Sequence, residues 1–119
     1  MSITLLGIPN CDTCRKARRW LDARGVDYQW HDIRKDGLTK GQINRWLDGV
    51  GSGNLINRRG QTWRKLSPED QERLDKGEAS LFLEYPTVIK RPILERSRTI
   101  TVGFKEDEWQ ARLENENRS

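Results

Sequence analysis

Histidine and cysteine are nearly absent from this 119-residue chain, which has one His and two Cys. A structural zinc site needs about four ligands of such types. It is therefore excluded unless carboxylates or a second chain complete it, and no metal is expected. A secreted disulfide scaffold carries more cysteines at longer spacings. Long apolar runs are missing too: none approaches the roughly 18 residues of a membrane helix. The start, Met1-Ser2-Ile3-Thr4-Leu5-Leu6, has no basic leader, so no secretory signal is expected. Excess charge of one sign is small, since 22 Lys and Arg against 18 Asp and Glu leave +4. With acids spread among the bases, this implies a mixed solvated surface rather than a nucleic-acid-binding face, with room for a local small-anion site. Five Trp, two Tyr and two Phe supply the bulk of one core, and the length fits a single domain, residues 1–119.

The two cysteines form a C-x-x-C pair, Cys11 and Cys14. Without zinc or a disulfide framework, the pair is either redox-active in a reducing compartment, which implies the cytoplasm, or two incidental thiols.

The chain around them reads as alternating elements. Ile3-Thr4-Leu5-Leu6 forms a short buried strand ended by Gly7 and Pro9. A helix follows, with Ala17, Trp20 and Leu21 inward and Gly25 as its stop. Val26 to Ile33 is β-branched and aromatic, a second strand. Strand, helix and strand in some 30 residues make a parallel βαβ unit. Thr39 can cap a helix with Ile43, Trp46, Leu47 and Val50 inward, after which Gly49, Gly51 and Gly53 loosen the chain into a loop. Ser67-Pro68-Glu69-Asp70 starts a helix that runs to Gly77, and Ala79 to Glu84 forms another. Ile93-Leu94-Glu95 and Thr99-Ile100-Thr101-Val102 make a hairpin turned by Arg96-Ser97-Arg98. A last helix carries Trp109 and Leu113 inward, ahead of a frayed tail, Glu114 to Ser119. The order matches an α/β, thioredoxin-like βαβ…ββα mixed sheet. Its halves, 1–37 and 86–119, are separated by a helical insertion, 38–85.

In that arrangement Cys11 lies where the first strand meets the first helix. Free amide N–H groups and the positive helix end favour its thiolate, and thiols so placed can have pKa values of roughly 3.5–7.5. Arg15 and Lys16 add positive charge. Cys14, one turn further in, is more enclosed. The pair reads as nucleophile, Cys11, and resolver, Cys14. Asn10 and Asp12 either orient the thiolate or cap the helix. His31, beside Trp30, reads as a packing or edge residue.

The segment Gly7-Ile8-Pro9-Asn10-Cys11-Asp12-Thr13-Cys14-Arg15-Lys16-Ala17-Arg18-Arg19-Trp20-Leu21 resembles the active-site segment of the arsenate-reductase-like (ArsC/Spx) family, and is most similar to its YffB-type branch. Asn57-Arg58-Arg59-Gly60-Gln61-Thr62-Trp63-Arg64-Lys65-Leu66, Ile89-Lys90-Arg91-Pro92-Ile93-Leu94 and Val102-Gly103-Phe104 agree in order and separation. The resemblance implies that Cys11 is the nucleophile, that Arg91 points at the active-site anion, and that Pro92 is cis beside the cysteine. Arg59 aligns best as a further anion contact, with Arg58 and Asn57 as competitors. Two departures stand out. Glutaredoxin-coupled arsenate reductases of the family carry a third arginine after the last hairpin, where Thr101-Val102-Gly103-Phe104 is not basic. The YffB-type branch has no cysteine at position 14, whereas Spx-type redox regulators share the C-x-x-C.

The function these residues imply is a glutathione-dependent thiol-disulfide reductase, without bound cofactor. Cys11 attacks, glutathione or Cys14 resolves, and Arg91 and Arg59 hold the carboxylates of glutathione or a small oxyanion. Glutaredoxin-coupled arsenate reduction is one alternative. A redox sensor that binds RNA polymerase, as Spx-type proteins do, is another. Neither nucleic acid nor membrane is an expected partner.

Overall fold

Apolar residues on the strands alternate with a period of two, and the two sets feed two different cores. In the computed structural model, which describes residues 3–96 and 99–117 with side chains as far as Arg112, β1 (Ile3–Gly7) sends Ile3 and Leu5 to one face of the sheet and Leu6 to the other. β3 (Ile93–Arg96) divides Ile93 from Leu94 in the same way. With β2 (Gln29–Asp32) and β4 (Thr99–Val102) they form a four-stranded sheet of order β2-β1-β3-β4. β1 and β2 are parallel, and the other two pairings are antiparallel. The expected mixed α/β, thioredoxin-like sheet is present.

One face carries α1 (Asp12–Ala23) and α7 (Glu106–Asn117). Ala17, Trp20 and Leu21 bury here with Trp109. Trp20, Phe104 and Trp109 meet edge to face, with ring centroids 4.7–6.2 Å apart, the orientation that ring quadrupoles favour. The other face carries the helices between β2 and β3: α2 (Lys40–Val50), α3 (Ser52–Leu55), α4 (Gln61–Lys65), α5 (Pro68–Asp75) and α6 (Ala79–Glu84). Ile43, Trp46, Leu55, Leu74 and Phe82 form its centre and are fully buried. Trp46 keeps its indole N–H satisfied by donating to Glu95 at 2.5 Å.

The helix signals operate as expected. Thr39 and Gln42 close a reciprocal capping box on α2. Ser67 accepts from the Asp70 N–H, with Pro68 in the first turn of α5. At the end of α1, Gly25 takes a φ of +66°, its N–H bonds Asp22, and the Val26 N–H bonds Leu21. This double closure corrects the second strand. Val26 is consumed in ending the helix, so β2 is confined to Gln29–Asp32 rather than Val26–Ile33. The glycine-rich loop after α2 also differs, because Gly49 lies inside α2 and Ser52–Leu55 forms a helical turn of its own. Neither α4 nor the 3-10 turn Pro86–Val88 was expected. Ser97, Arg98 and residues 118–119 lie outside the described residues, as do the side chains of Leu113 and the tail; the α7 backbone continues to Asn117. No helix of the described residues is long and apolar enough to cross a membrane.

Candidate active site

β1 ends at Gly7, and the chain turns into α1 with Cys11 at the helix N-cap in an extended conformation, φ −141° and ψ 121°. Ser, Thr, Asp or Asn at that position would tie up one of the first amide N–H groups. Here no side-chain cap bond forms, and the Cys14 N–H is left to favour charge on the Cys11 sulfur. Burial pushes the Cys11 thiol up. The Cys14 backbone N–H, the Cys14 thiol and the Arg91 guanidinium together outweigh that and hold it below the ordinary thiol range. Cys11 is half-buried and free, hence within reach of a ligand.

Cys14 is wholly buried. Burial pushes its thiol up to about 12; the Ile8 N–H opposes this, and charge on Cys11 adds to it. The seat is made by Gly7, since a β-carbon there would lie 2.5 Å from the Cys14 Sγ. No side chain larger than hydrogen fits between the strand end and that sulfur.

Arg91 reaches the site from the turn that enters β3, beside the end of β1 where Leu6 pairs with Ile93. The peptide joining it to Pro92 is cis, as the resemblance implied. One terminal nitrogen, Nη1, donates to the Thr87 carbonyl at 2.8 Å and the Ile89 carbonyl at 3.0 Å, so the guanidinium is held in place. Its Nε is buried without a partner among the described residues. Thr87 is itself held by α4 through a 2.6 Å contact between the Thr62 and Thr87 hydroxyls. An isolated antiparallel bridge, Ile56 to Ile89, brings the Asn57 loop alongside; the Asn57 N–H bonds Val88 and the Lys90 N–H bonds Leu55, both at 2.8 Å.

These elements enclose a cavity of about 320 Å³ lined by Cys11, Thr13, Asn57, Arg91 and Gly103, with Lys90 and Lys105 at its edge. Cys11 and Arg91 are thus brought together. Pro92 lies beneath, its carbonyl accepting from the Gly103 N–H. Asn57 lines the cavity, whereas Arg59 is exposed and does not. Arg58 is committed elsewhere, paired with Asp75 at 2.5 Å and stacked 4.7 Å from the Trp63 ring centroid. Asn10 is exposed and outside the lining. Arg15 turns to solvent and pairs with Asp12 at 2.7 Å, so Asp12 is not a cap. His31 places Nε2 2.7 Å from the Gly37 carbonyl and donates to it, a loop-fixing role.

Two lysines were missed. Lys90 precedes Arg91, and Lys105 lies one residue beyond the non-basic segment Thr101-Val102-Gly103-Phe104. The signal was present, one position further on. Among the described residues no group of three or more His, Cys, Asp or Glu gathers to hold a metal ion.

The arrangement can stabilise a thiolate and hold an anion beside it. Known proteins agree with the fold. The ArsC family profile matches residues 6–112. The solved structure of a protein named YFFB superposes with a TM-score of 0.86 at 40% identity, covering 92% of this chain and 97% of the other. The solution structure of an arsenate reductase-related protein from Brucella melitensis gives 0.75 at 44% identity, with 93% of each chain covered. The global transcriptional regulator Spx of Streptococcus pyogenes serotype M6 is 33% identical over 113 residues, 93% of this chain and 84% of its own. From its sheet, its cysteine at the mouth of α1 and this match over most of its length, the chain belongs to the ArsC family of arsenate-reductase-like proteins.

Proposed function

We propose that the protein is a cytoplasmic thiol-disulfide reductase that uses glutathione, with Cys11 as nucleophile. One observation carries the reading: a half-exposed thiol, favoured as thiolate by a helix amide and Arg91, opens into a cavity edged by Lys90 and Lys105. The Cys11 thiolate attacks one sulfur of a mixed disulfide between a substrate and glutathione. The S–S bond breaks, the substrate sulfur leaves as thiolate and takes a proton from water, and Cys11 is left disulfide-bonded to glutathione. A second glutathione thiolate attacks this adduct, restores the Cys11 thiolate and departs as oxidised glutathione. The net exchange converts the mixed disulfide and one glutathione thiol into the substrate thiol and oxidised glutathione, the incoming glutathione being the reductant. Arg91, Lys90 and Lys105 hold the glutathione carboxylates; a fixed guanidinium is suited to bidentate carboxylate binding.

Cys14 acts here as a hydrogen-bond donor to Cys11. Its burial and its pKa of about 12 leave it almost no thiolate at neutral pH, so external glutathione is the faster resolver. The test is turnover of a glutathione mixed disulfide, followed as oxidised glutathione. Wild type and Cys14→Ala should turn over, and Cys11→Ser should not. Equal turnover by Cys11→Ser and wild type removes Cys11 from the mechanism. Arsenate in place of the disulfide checks the arsenate alternative, which Arg91→Ala should abolish.

A second reading is favoured by the interaction between the two thiols and the likeness to Spx. In it the pair is a redox switch for binding RNA polymerase. Capture of polymerase by oxidised protein alone would favour this reading over catalysis.

A further inference from the structure

β4 is an edge strand, and its open side is a groove. The Gly103 N–H bonds the Pro92 carbonyl at 2.8 Å, which continues the register in which Val102 faces Ile93 and Thr101 faces Leu94. In an antiparallel ladder, residues that bond to the partner strand alternate with residues whose N–H and C=O turn the other way. Gly103, Thr101 and Thr99 therefore bond toward β3. Ile100 and Val102 turn their N–H and C=O groups outward, to the side where the sheet ends.

A hollow of about 190 Å³ runs along that side. Asn54 of α3 stands on one flank, and Glu108 and Arg112 of α7 on the other; Lys90 and Lys105 belong both to this hollow and to the Cys11 cavity. Three cations thus face one carboxylate. The Thr101 hydroxyl, buried in the lining, has no partner among the described residues. Short edge strands flanked by lysines are also how sheets resist unwanted pairing. That role needs neither a concave surface nor continuity with a reactive thiol, and this edge has both.

We propose that the groove is a second binding site, taking an extended acidic segment of a protein substrate as a fifth strand against β4. The outward N–H and C=O groups of Ile100 and Val102 pair with the segment's backbone, as in other strand additions to an open edge. Lys90, Lys105 and Arg112 take its carboxylates. Lys90, Val102 and Lys105, common to both hollows, lead the segment to Cys11. Its disulfide there is cleaved as written above, the substrate sulfur leaving as thiolate and taking a proton from water. The choice of substrate rests on the Cys11 reading; the groove itself does not.

The test uses the full-length Cys11→Ser protein, which has no nucleophile, so failure here leaves the reductase reading standing and failure of turnover leaves the groove standing. The probe is a ten-residue peptide alternating Glu with Val and Thr. Controls are the same peptide with Lys for Glu, a version N-methylated at alternate residues, and reduced glutathione. Amide exchange is followed by NMR. The acidic peptide should slow exchange at Ile100 and Val102 and leave Thr101 and Gly103 unchanged. Arg112→Glu should weaken binding about tenfold or more, the scale of one charge-assisted contact. N-methylation in the pairing register should abolish binding. The proposal is overturned if the acidic peptide does not bind, if acidic and basic peptides bind alike, or if binding leaves Ile100 and Val102 unprotected. Protection by glutathione equal to that by the peptide overturns the protein segment as occupant.

Discussion

Cys11, at the mouth of α1, and Cys14, one turn beneath it, sit three residues apart on one helix and differ in nearly every physical respect. Cys11 is partly open to the cavity, receives Arg91 and the Cys14 amide, and is favoured as thiolate. Cys14 lies against the Gly7 backbone, fully enclosed, and keeps its proton. The lesson is that identity and spacing do not decide reactivity. Desolvation raises both thiols, and each has a backbone N–H and Arg91 to oppose it; what separates them is the deeper burial of Cys14 and its thiol hydrogen bond, which favours charge on Cys11 and disfavours it on Cys14.

The largest break in this comparison should come from Arg91→Ala. It removes the guanidinium that acts on Cys11 and frees the Thr87 and Ile89 carbonyls. We expect turnover to fall by about 10²-fold, the scale of losing one fixed charge-stabilising donor. The Cys11 titration, read from the pH dependence of iodoacetamide alkylation, should move up. Arg91→Lys should recover the charge and only part of the rate. An unchanged titration would detach Arg91 from the thiolate.

Gly7→Ala should act next, on the enclosed side. The added β-carbon meets the Cys14 Sγ at 2.5 Å and a Trp30 ring carbon at 3.3 Å. Overpacking of this kind costs about 1–3 kcal/mol, measurable by urea unfolding. Adding Cys14→Ala should return most of the loss, since it removes the sulfur that collides. Equal cost in both backgrounds would place the strain elsewhere.

Cys14→Ala alone sharpens the comparison. It removes one donor to Cys11, so the alkylation profile should shift toward higher pH while turnover with glutathione persists. Abolished turnover would restore Cys14 as resolver.

A smaller effect is expected in stability against pH. The folded chain releases the Cys11 proton at lower pH than the unfolded chain. This contribution is complete above the ordinary thiol range, about pH 8.5, and is lost as pH falls through the folded value. Cys14 has the opposite sign. The unfolded chain loses its proton first, so the fold weakens as pH rises from about 8.5 toward 12. Unfolding midpoints of wild type should therefore drop in that alkaline window more than those of Cys14→Ala. The smallest effect should come from Lys105→Gln, a few-fold rise in KM for an anionic disulfide with little change in kcat, as expected for one exposed charge.

Local chemistry was legible wherever the responsible atoms lie within a few residues. The capping box at Thr39, the Ser67-Pro68 start and the Gly25 closure are short-range hydrogen-bonding devices. The alternation of Ile3, Leu5 and Leu6 needs only the strand period to sort them onto two faces. β2 was overestimated because the β-branched signal of Val26 lost to a helix-end bond it could not reveal. The turn Ser52–Leu55 and the helix Gln61–Lys65 carry weak propensity and are held by packing and by the Ile56–Ile89 bridge.

The sequence by itself determined which atoms are special. It marked a thiol following a strand and opening a helix, an Arg-Pro pair, and apolar spacings that commit the chain to a two-faced sheet, because all of these depend on neighbours along the chain. Only the tertiary structure decided which cations reach the sulfur. Arg91, Lys90 and Lys105 converge on the cavity from segments far from Cys11, while the adjacent Arg15 turns to Asp12 and Arg59 to solvent. Coulombic effects follow distance through space, and the fold alone sets that distance.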